Sequence, residues 1–197
     1  MKKFLLIILL LLTQINMSLA TEKLPEINKN DSFLNMLSNR KTTRIFNPTK
    51  TINNNDLSNI LWSAYGINRK EEGKRTIPTA MNTQDLEIYV IKKNGAYLYN
   101  AEKNELKQIT KNNLFVYFTE NQEFINDADI IILYTTKNYT KDVSALHAGS
   151  AYQNVAIYCA EHNMPNVVKG SMDRDGVAKE LNLKVENILV GQAIGLN

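Results

Sequence analysis

The spacing of hydrophobic residues predicts two amphipathic helices near the start of the chain. The first runs from Ser32 to Ser38, with Asp31 at the position of a helix N-cap. The second follows the cluster Asn53–Asn55, whose side chains can cap it, and Gly66 marks its end. In both segments the apolar residues recur on one face, which is typical of helices that pack against a core.

The middle of the chain has the pattern of β-strands. Leu86–Ile91 and Ala96–Tyr99 are rich in β-branched and aromatic residues and flank a Lys-Asn-Gly turn, which predicts a hairpin. Glu105–Ile109 adds a third strand, and the continuous apolar run Asp129–Thr135 is typical of a strand buried on both faces. This region therefore predicts an antiparallel hairpin or meander.

The last third of the chain mixes both kinds of element. A long helix is predicted from Ser144 to Glu161, and its many small residues would let another backbone approach closely. A short strand and turn at Val167–Gly170, a helix at Arg174–Leu181 and a strand at Ile188–Ile194 follow. The amphipathic segment Asn112–Ile125 is interpreted as a helix. The sum is an α+β fold in which helices flank a central, mostly antiparallel sheet.

The first twenty residues have the pattern of a secretory signal peptide. Lys2 and Lys3 precede the apolar run Phe4–Leu12, and small residues lie at Ser18–Ala20. The run is shorter than the roughly 20 residues that span a bilayer, although an uncleaved anchor is the alternative. We expect an exported protein, periplasmic or secreted, with no stable membrane anchor after cleavage. Residues 21–197 then form a single domain.

Composition excludes several classes of function. Without Lys2 and Lys3, 21 basic residues face 20 acidic ones, so no nucleic-acid partner is expected. Cys159 is the only cysteine, which rules out an internal disulfide and favours a buried thiol. His147 and His162 lie fifteen residues apart without other ligands at suitable spacing, so no metal site is expected.

The strongest candidate for an anion site is the basic turn after the first helix. Arg40, Lys41 and Arg44 offer positive charge, and Thr42 and Thr43 offer hydroxyl donors. A phosphate could be held by these groups. The alternative is a basic surface loop in contact with water only.

A second candidate site follows a polar, aperiodic segment, Arg69–Arg75, which is predicted to be a mobile loop. After it, Pro78 stiffens a turn that presents the hydroxyl of Thr79 and the amides of Asn82 and Gln84. Such groups suit the polar edge of a heterocycle. Alone, this pattern is weak.

The third candidate is the turn after the short strand, where Lys169 precedes Gly170. Glycine permits a close backbone approach, and its N–H could donate to a flat ligand, although a plain tight turn would have the same sequence. The chain lacks the glycine-rich dinucleotide and phosphate loops, the Gly-x-Ser-x-Gly elbow and the His-Glu-x-x-His pair. Rossmann dehydrogenase, kinase and hydrolase functions are therefore disfavoured.

Four motifs, in order, resemble those of the FMN-dependent nitroreductase superfamily from about Ser32 to Leu196. They are Arg40–Phe46, Pro78–Gln84, Gly149–Asn154 and Gly191–Gly195. Three further stretches, Leu61–Ile67, Arg75–Pro78 and Gly95–Tyr99, most resemble the branch that contains azoline dehydrogenases. The catalytic Lys and Tyr of those enzymes have no match here, so that activity is not implied.

The resemblance implies an FMN-dependent oxidoreductase that works as a homodimer on a small conjugated substrate, such as a nitro compound or a quinone. Hydride would pass through flavin N5 in a ping-pong cycle, with a donor at N5 stabilising the reduced flavin. The resemblance implies that Arg40, Lys41, Thr42 and Arg44 bind the FMN phosphate and ribityl chain. It implies a flavin loop, contributed by the partner subunit, that contains Pro78, Thr79, Asn82 and Gln84. Lys169 and Gly170 are implied to lie beside the ring, where the Gly170 N–H donates to N5.

Export conflicts with the electron donor that the resemblance implies. NAD(P)H is the usual donor, but it is not expected outside the cytoplasm, so a quinone or protein donor is an alternative. Many members also carry a further basic residue near the C-terminus, whereas this sequence ends at Asn197, and we expect weaker retention of FMN. A non-catalytic flavin carrier or sensor of the envelope is the main alternative function, and a purely structural envelope protein is a third.

Overall fold

The computed structural model of the protein describes residues 23–137 and 140–197, so the predicted signal peptide lies outside the described residues. Five helices and eight strands are described. The helices are α1 (Ser32–Asn39), α2 (Asn54–Tyr65), α3 (Val116–Thr119), α4 (Lys141–Glu161) and α5 (Arg174–Leu181). The strands are β1 (Ile67–Arg69), β2 (Lys74–Arg75), β3 (Leu86–Lys92), β4 (Gly95–Asn100), β5 (Glu105–Thr110), β6 (Ile130–Thr136), β7 (Asn166–Lys169) and β8 (Ile188–Ile194).

Six strands form the central sheet, in the order β5-β4-β3-β6-β8-β7. Every recorded pair in it is antiparallel, which confirms the predicted sheet and the α+β fold. β1 and β2 form a separate two-stranded ribbon. β5 and β7 are the edges of the central sheet, so no strand of the described residues lies on the outer side of β7.

The sheet separates two hydrophobic cores. α2 and α4 cover one face, where Ile60 and Val155 meet Ile132 of β6. On the other face, Phe118 of α3 and Val177 of α5 lie in the same cluster as the odd-numbered β6 residues. All seven residues of β6 are buried, because successive side chains enter opposite cores. This confirms the strand predicted from the continuous apolar run.

Two local predictions were wrong. The segment Asn112–Ile125 contains only the single turn α3 and part of a 3₁₀ turn at Glu123–Asp127, because Asn121 adopts a left-handed conformation (φ 56°) between them. The segment Arg69–Arg75, predicted to be a mobile loop, instead consists of the end of β1, a tight turn at residues 70–73 with Gly73 at φ 63°, and the strand β2. Its backbone is held by bonds from Glu72 N and Gly73 N to carbonyls at the start of the turn.

Asparagine makes many of the sharp turns. Seven described non-glycine residues have positive φ, and five of them are Asn82, Asn104, Asn121, Asn163 and Asn182. Asparagine tolerates this region better than most residues because its short side chain bonds locally. Of the helices described, none is both long and apolar enough to cross a membrane.

Candidate functional site

The basic turn lies beside the edge strand β7. The N–H of Thr43 donates to the carbonyl of Asn166 at 2.9 Å, and the N–H of Asn47 donates to Leu196 at 2.8 Å. These bonds extend the sheet edge and fix residues 40–47 next to the first residue of β7. A predicted loop is thereby held as an ordered segment of the sheet rim.

The cations of this turn are available to a ligand. Arg40 is half-buried, whereas Lys41 and Arg44 are exposed, and none of the three has an ion-pair partner among residues 23–137 and 140–197. A cavity of about 300 Å³ adjoins the turn, and its lining includes Lys41, Thr43 and Asn166. Thr42 is exposed beside them. The arrangement suits a small anion such as a phosphate group.

The other end of β7 leads to Gly170, which is exposed. A Cβ placed on Gly170 would meet no atom within 4 Å, so open space lies against its backbone. Arg174 fixes the conformation here, because its guanidinium donates to the carbonyls of Gly170 (3.1 Å), Ile188 (2.7 Å) and Leu189 (3.1 Å). A rigid backbone therefore faces a space that a flat molecule could fill.

The side chain of Lys169 points away from that space. It is 3% exposed, and Nζ donates to the side-chain oxygen of Gln122 at 3.0 Å. Burial lowers the pKa of Lys169, and the nearby carboxylate of Glu120 opposes that effect. Ser171 donates to the same Glu120 at 2.9 Å. The two contacts attach segment 120–122 on both sides of Gly170 and restrain its backbone.

The loop Pro78–Gln84 is held both by its own polar groups and by residues outside it. Gln84 donates its N–H to Thr79 Oγ1 (3.2 Å) and its side-chain amide to Asn82 Oδ1 (3.3 Å). Arg75 donates to Gln84 Oε1 at 2.8 Å. Met81 and Asn82 are exposed at the tip, and Pro78 is exposed at the start. The tip therefore projects polar and apolar groups into solvent.

A buried polar cluster behind this loop was missed by the sequence analysis. Asp85 contacts His147 Nδ1 at 2.6 Å, and Ser144 donates to the other carboxylate oxygen at 2.5 Å. His147 Nε2 accepts the N–H of Ala80 at 2.8 Å. Thr136 lies 2.9 Å from the Ser144 hydroxyl. The one available signal was a pair of polar residues, Ser144 and His147, on the otherwise apolar face of α4.

The electrostatics of the cluster identify its protonation state. Burial raises the pKa of Asp85, but hydrogen bonds from Ser144, from its own backbone and from His147 outweigh burial and leave the pKa below its ordinary value. Asp85 is therefore ionised near neutral pH. Because Nε2 of His147 accepts a hydrogen bond, the ring proton lies on Nδ1 and points to Asp85.

The structure places two of the three predicted clusters along one strand, β7, and the third cluster lies apart from them. The basic turn and Gly170 lie at opposite ends of β7. The loop is anchored at His147, whereas the turn lies beyond the C-terminal end of α4, about 21 Å of helix rise away. In the sheet, β8 and β6 separate β7 from β3, which is about 14 Å laterally. One copy of the chain therefore does not assemble all three clusters around one ligand.

Comparison with known proteins gives a consistent result. Residues 37–196 match the profile of the nitroreductase family. A nitroreductase-like protein from Ralstonia eutropha JMP134 has a similar structure, with a TM-score of 0.75 and 26% identity over 88% of this chain and 87% of that one. No curated protein sequence gave a match.

Two more distant structures share the fold. The Escherichia coli microcin synthetase McbBCD complex, with truncated pro-MccB17 bound, contains a chain with a TM-score of 0.68 at 15% identity, covering 89% of this chain and 75% of that one. A nitroreductase-like protein from Desulfovibrio desulfuricans, in complex with FMN, has a TM-score of 0.60 at 16% identity, covering 84% and 86%. At these identities the likeness concerns the fold alone.

Proposed function

Because the chain belongs to the nitroreductase family, an oxidoreductase family, we propose that it is an FMN-dependent oxidoreductase that works as a homodimer. The observation that carries the proposal is the layout of β7. Cations without an ion-pair partner in the described part of the chain lie beside one end of this strand, and the exposed backbone of Gly170 lies at the other.

The residues along β7 fit FMN in size and chemistry. Four residue steps separate Asn166 from Gly170, which corresponds to about 13 Å of extended strand. FMN is elongated, with a dianionic phosphate joined to a flat ring by a five-carbon chain. Arg40, Lys41 and Arg44 would hold the phosphate, and Thr42 would bond the ribityl chain. The open face at Gly170 would accept the ring.

FMN, when bound, supplies the two-electron chemistry, and the chain supplies binding and polarity. The Gly170 N–H would donate to the ring nitrogen that carries the transferred hydride. Arg174 fixes the peptide that follows Gly170, through its bond to the Gly170 carbonyl. The segment held by Lys169 and Ser171 restricts its movement from the opposite side.

The separation of the loop from β7 supports a dimer. Three strand spacings, about 14 Å, separate β7 from β3, the strand that follows the loop. A second copy would therefore contribute Thr79 and Asn82 to the ring site. Met81 is 84% exposed and Leu146 is 71% exposed, although large apolar side chains are costly to leave in water. Both lie near the loop, where contact with a second copy would bury them. Gly149 on α4 is half-buried, and its lack of a side chain would allow a second backbone to approach for the same contact.

The substrate that we propose is a small conjugated molecule, such as a nitro compound or a quinone, that stacks on the open face of the ring. The electron donor is proposed to be NAD(P)H if the protein works in the cytoplasm. If residues 1–20 direct export, a quinol or a protein donor takes that place. Anaerobic reduction by NADH, NADPH and a soluble quinol would separate these donors.

Titration with FMN tests the central proposal. Mature protein mixed with FMN should give a flavin absorption spectrum and one FMN per chain. Replacing Arg40 by Gln should weaken binding by roughly 10- to 100-fold, because one charge-assisted bond is worth about 1.5–3 kcal/mol. Arg69→Gln, an exposed arginine on the β1–β2 ribbon, is the matched control and should bind normally.

Two outcomes would contradict the proposal. Colourless protein that binds no FMN would refute the cofactor, and equal affinities for Arg40→Gln and Arg69→Gln would refute the phosphate site. Tight FMN binding without turnover of any nitroaromatic or quinone, with any of the three donors, would instead identify a flavin carrier or sensor.

A further inference from the structure

We propose that His147 is a positioning residue for the loop Pro78–Gln84, which it holds through the Ala80 N–H while Asp85 holds the imidazole ring. The effect on the loop stands on geometry alone. The effect on flavin rests on the function proposed above, in which the tip of this loop contacts FMN in the partner subunit.

The imidazole ring is oriented from behind by Asp85. The carboxylate accepts from His147 Nδ1 at 2.6 Å, from Ser144 at 2.5 Å and from Thr83 at 3.1 Å. His147 is 6% exposed and Asp85 is 5% exposed, so water does not compete for these bonds. The ring therefore has one orientation and presents Nε2 to the loop.

This geometry distinguishes the cluster from a hydrolytic triad, although it contains Ser, His and Asp. Nε2 of His147 is occupied by the Ala80 N–H, so it has no lone pair left to accept a proton from a nucleophile. The Ser144 hydroxyl donates to Asp85 and lies 2.9 Å from Thr136, rather than contacting the imidazole. The cluster has the geometry of a support for the backbone of the loop.

The loop needs such a support because its backbone is strained. Met81, Asn82 and Gln84 have φ of 49°, 56° and 45°, a region that Met and Gln rarely adopt. Such conformations persist only where surrounding contacts impose them. The Ala80 N–H bond to His147 immediately precedes the first of these residues. It is also the contact that joins the loop to the long helix α4.

Within residues 23–137 and 140–197, the charged groups around His147 do not offer its ring a second partner. Asp85 contacts the ring directly. Glu87 of β3 and Lys137 after β6 face each other at 4.0 Å. Arg75 of β2 is bonded to Gln84. Lys141 and Asp142 of α4 are exposed near its start. The imidazole is thus committed to Asp85 on one side and Ala80 on the other.

Two conservative variants separate the two bonds of His147. His147→Gln places an amide oxygen near the position of Nε2, so it can still accept from Ala80, but it loses the donor to Asp85. His147→Asn places an amide nitrogen near Nδ1, so it keeps the bond to Asp85 and loses the acceptor for Ala80. A role confined to core stability predicts that Asn is the milder change. A role in loop positioning predicts that Gln is milder.

The first measurement is hydrogen exchange at the Ala80 amide, which needs no flavin. We expect this amide to exchange at least about tenfold faster in His147→Asn than in His147→Gln, with thermal unfolding midpoints recorded for both. Equal exchange rates, or faster exchange in His147→Gln, would overturn the positioning role.

The second measurement is FMN affinity in the same variants. His147→Asn should bind FMN about tenfold more weakly than His147→Gln. If wild-type protein binds no FMN while Ala80 exchange still differs, the proposed cofactor fails and the positioning role stands. If FMN binds equally to both variants although exchange differs, the loop is positioned by His147 but does not contact FMN, which refutes the link to the flavin site.

Discussion

Mixing two damaged chains tests whether each flavin site is built from two subunits. The first variant, Arg40→Gln with Arg44→Gln, removes charge from the basic turn. The second, Asn82→Asp, adds a negative charge at the tip of the loop. It keeps the side-chain oxygen that accepts the hydrogen bond from Gln84. Each variant alone should bind FMN weakly in all of its sites.

The structure sets the size of the expected rescue. The loop anchor and the basic turn of one chain are separated by about 21 Å along α4, so they would belong to different sites of a dimer. Two changes carried on different chains therefore fall in the same site of a mixed dimer. One site of that dimer carries both changes, and the other carries neither. Equal mixing makes half of the dimers mixed, so about one quarter of all sites should be intact.

The assay is flavin stoichiometry after the two chains are co-expressed with different affinity tags and the mixed dimer is purified. The purified mixed dimer should bind one FMN tightly, and each parent dimer should bind none with comparable affinity. Activity with a nitroaromatic substrate should follow bound FMN. If the mixed dimer binds no more FMN than its parents, the two-subunit site is refuted, even if the protein is dimeric.

Four further substitutions have expected outcomes that follow from local structure. Gly95→Ala should reduce the free energy of unfolding by about 3 kcal/mol, because Gly95 has φ 140° and its added Cβ would lie 2.3 Å from the Thr110 carbonyl oxygen. Gly73→Ala is the control and should reduce it by only about 1 kcal/mol, because Gly73 has φ 63° with open space around it. Equal losses of stability in urea titrations would disprove the steric argument. Because the pKa of Asp85 is lowered, its stabilising effect is complete above the pKa of the unfolded chain, near 3.9, and is lost as pH falls through the pKa of the folded protein. Asp85→Asn should therefore flatten the loss of stability below about pH 4, measured by urea titration at several pH values. An unchanged dependence of stability on pH would contradict this. Gly170→Ala should leave stability within about 0.5 kcal/mol, yet weaken FMN binding, because the methyl group enters the space proposed for the ring; normal affinity by FMN titration would exclude that placement.

The sequence predicted the elements whose burial follows a simple period. The strand β6 was predicted from its continuous apolar run, which reflects the burial of all of its side chains. The core of α4 was predicted because its small and apolar residues are continuous from Ser144. The helix begins earlier, at Lys141. Its first turn was not predicted because it is exposed and polar and has no hydrophobic pattern. Ends of this kind depend on the backbone rather than on burial.

The segment around α3 shows why an amphipathic pattern can mislead. Leu114, Phe115 and Phe118 are buried in the second core, as helical spacing would require. However, the Asn113 side chain accepts from Phe115 N at 3.0 Å and sets a turn there. The left-handed conformation of Asn121 then ends the short helix region. The hydrophobic spacing correctly predicted which side chains are buried, but it did not predict the local turns.

The candidate site could be predicted only in separate pieces. The cations of the basic turn and the exposed Gly170 were identified because their residue types carry chemistry at short spacing. The support of the loop by His147 could not be predicted, because its contacts join residues 62 and 67 positions apart. The inward direction of the Lys169 side chain was also hidden, because it follows from which face of β7 lies over the second core.

The asparagine turns have a consequence for the unfolded chain. Glycine at these positions would adopt the left-handed conformation easily, but it would also sample many more conformations before folding. A side chain narrows that starting ensemble, by up to about 1 kcal/mol in entropy per position where the native backbone accommodates it. At the five asparagine turns the protein forms sharp reversals without that additional disorder. Such turns close their loops from a chain that is already more restricted than a glycine-rich one.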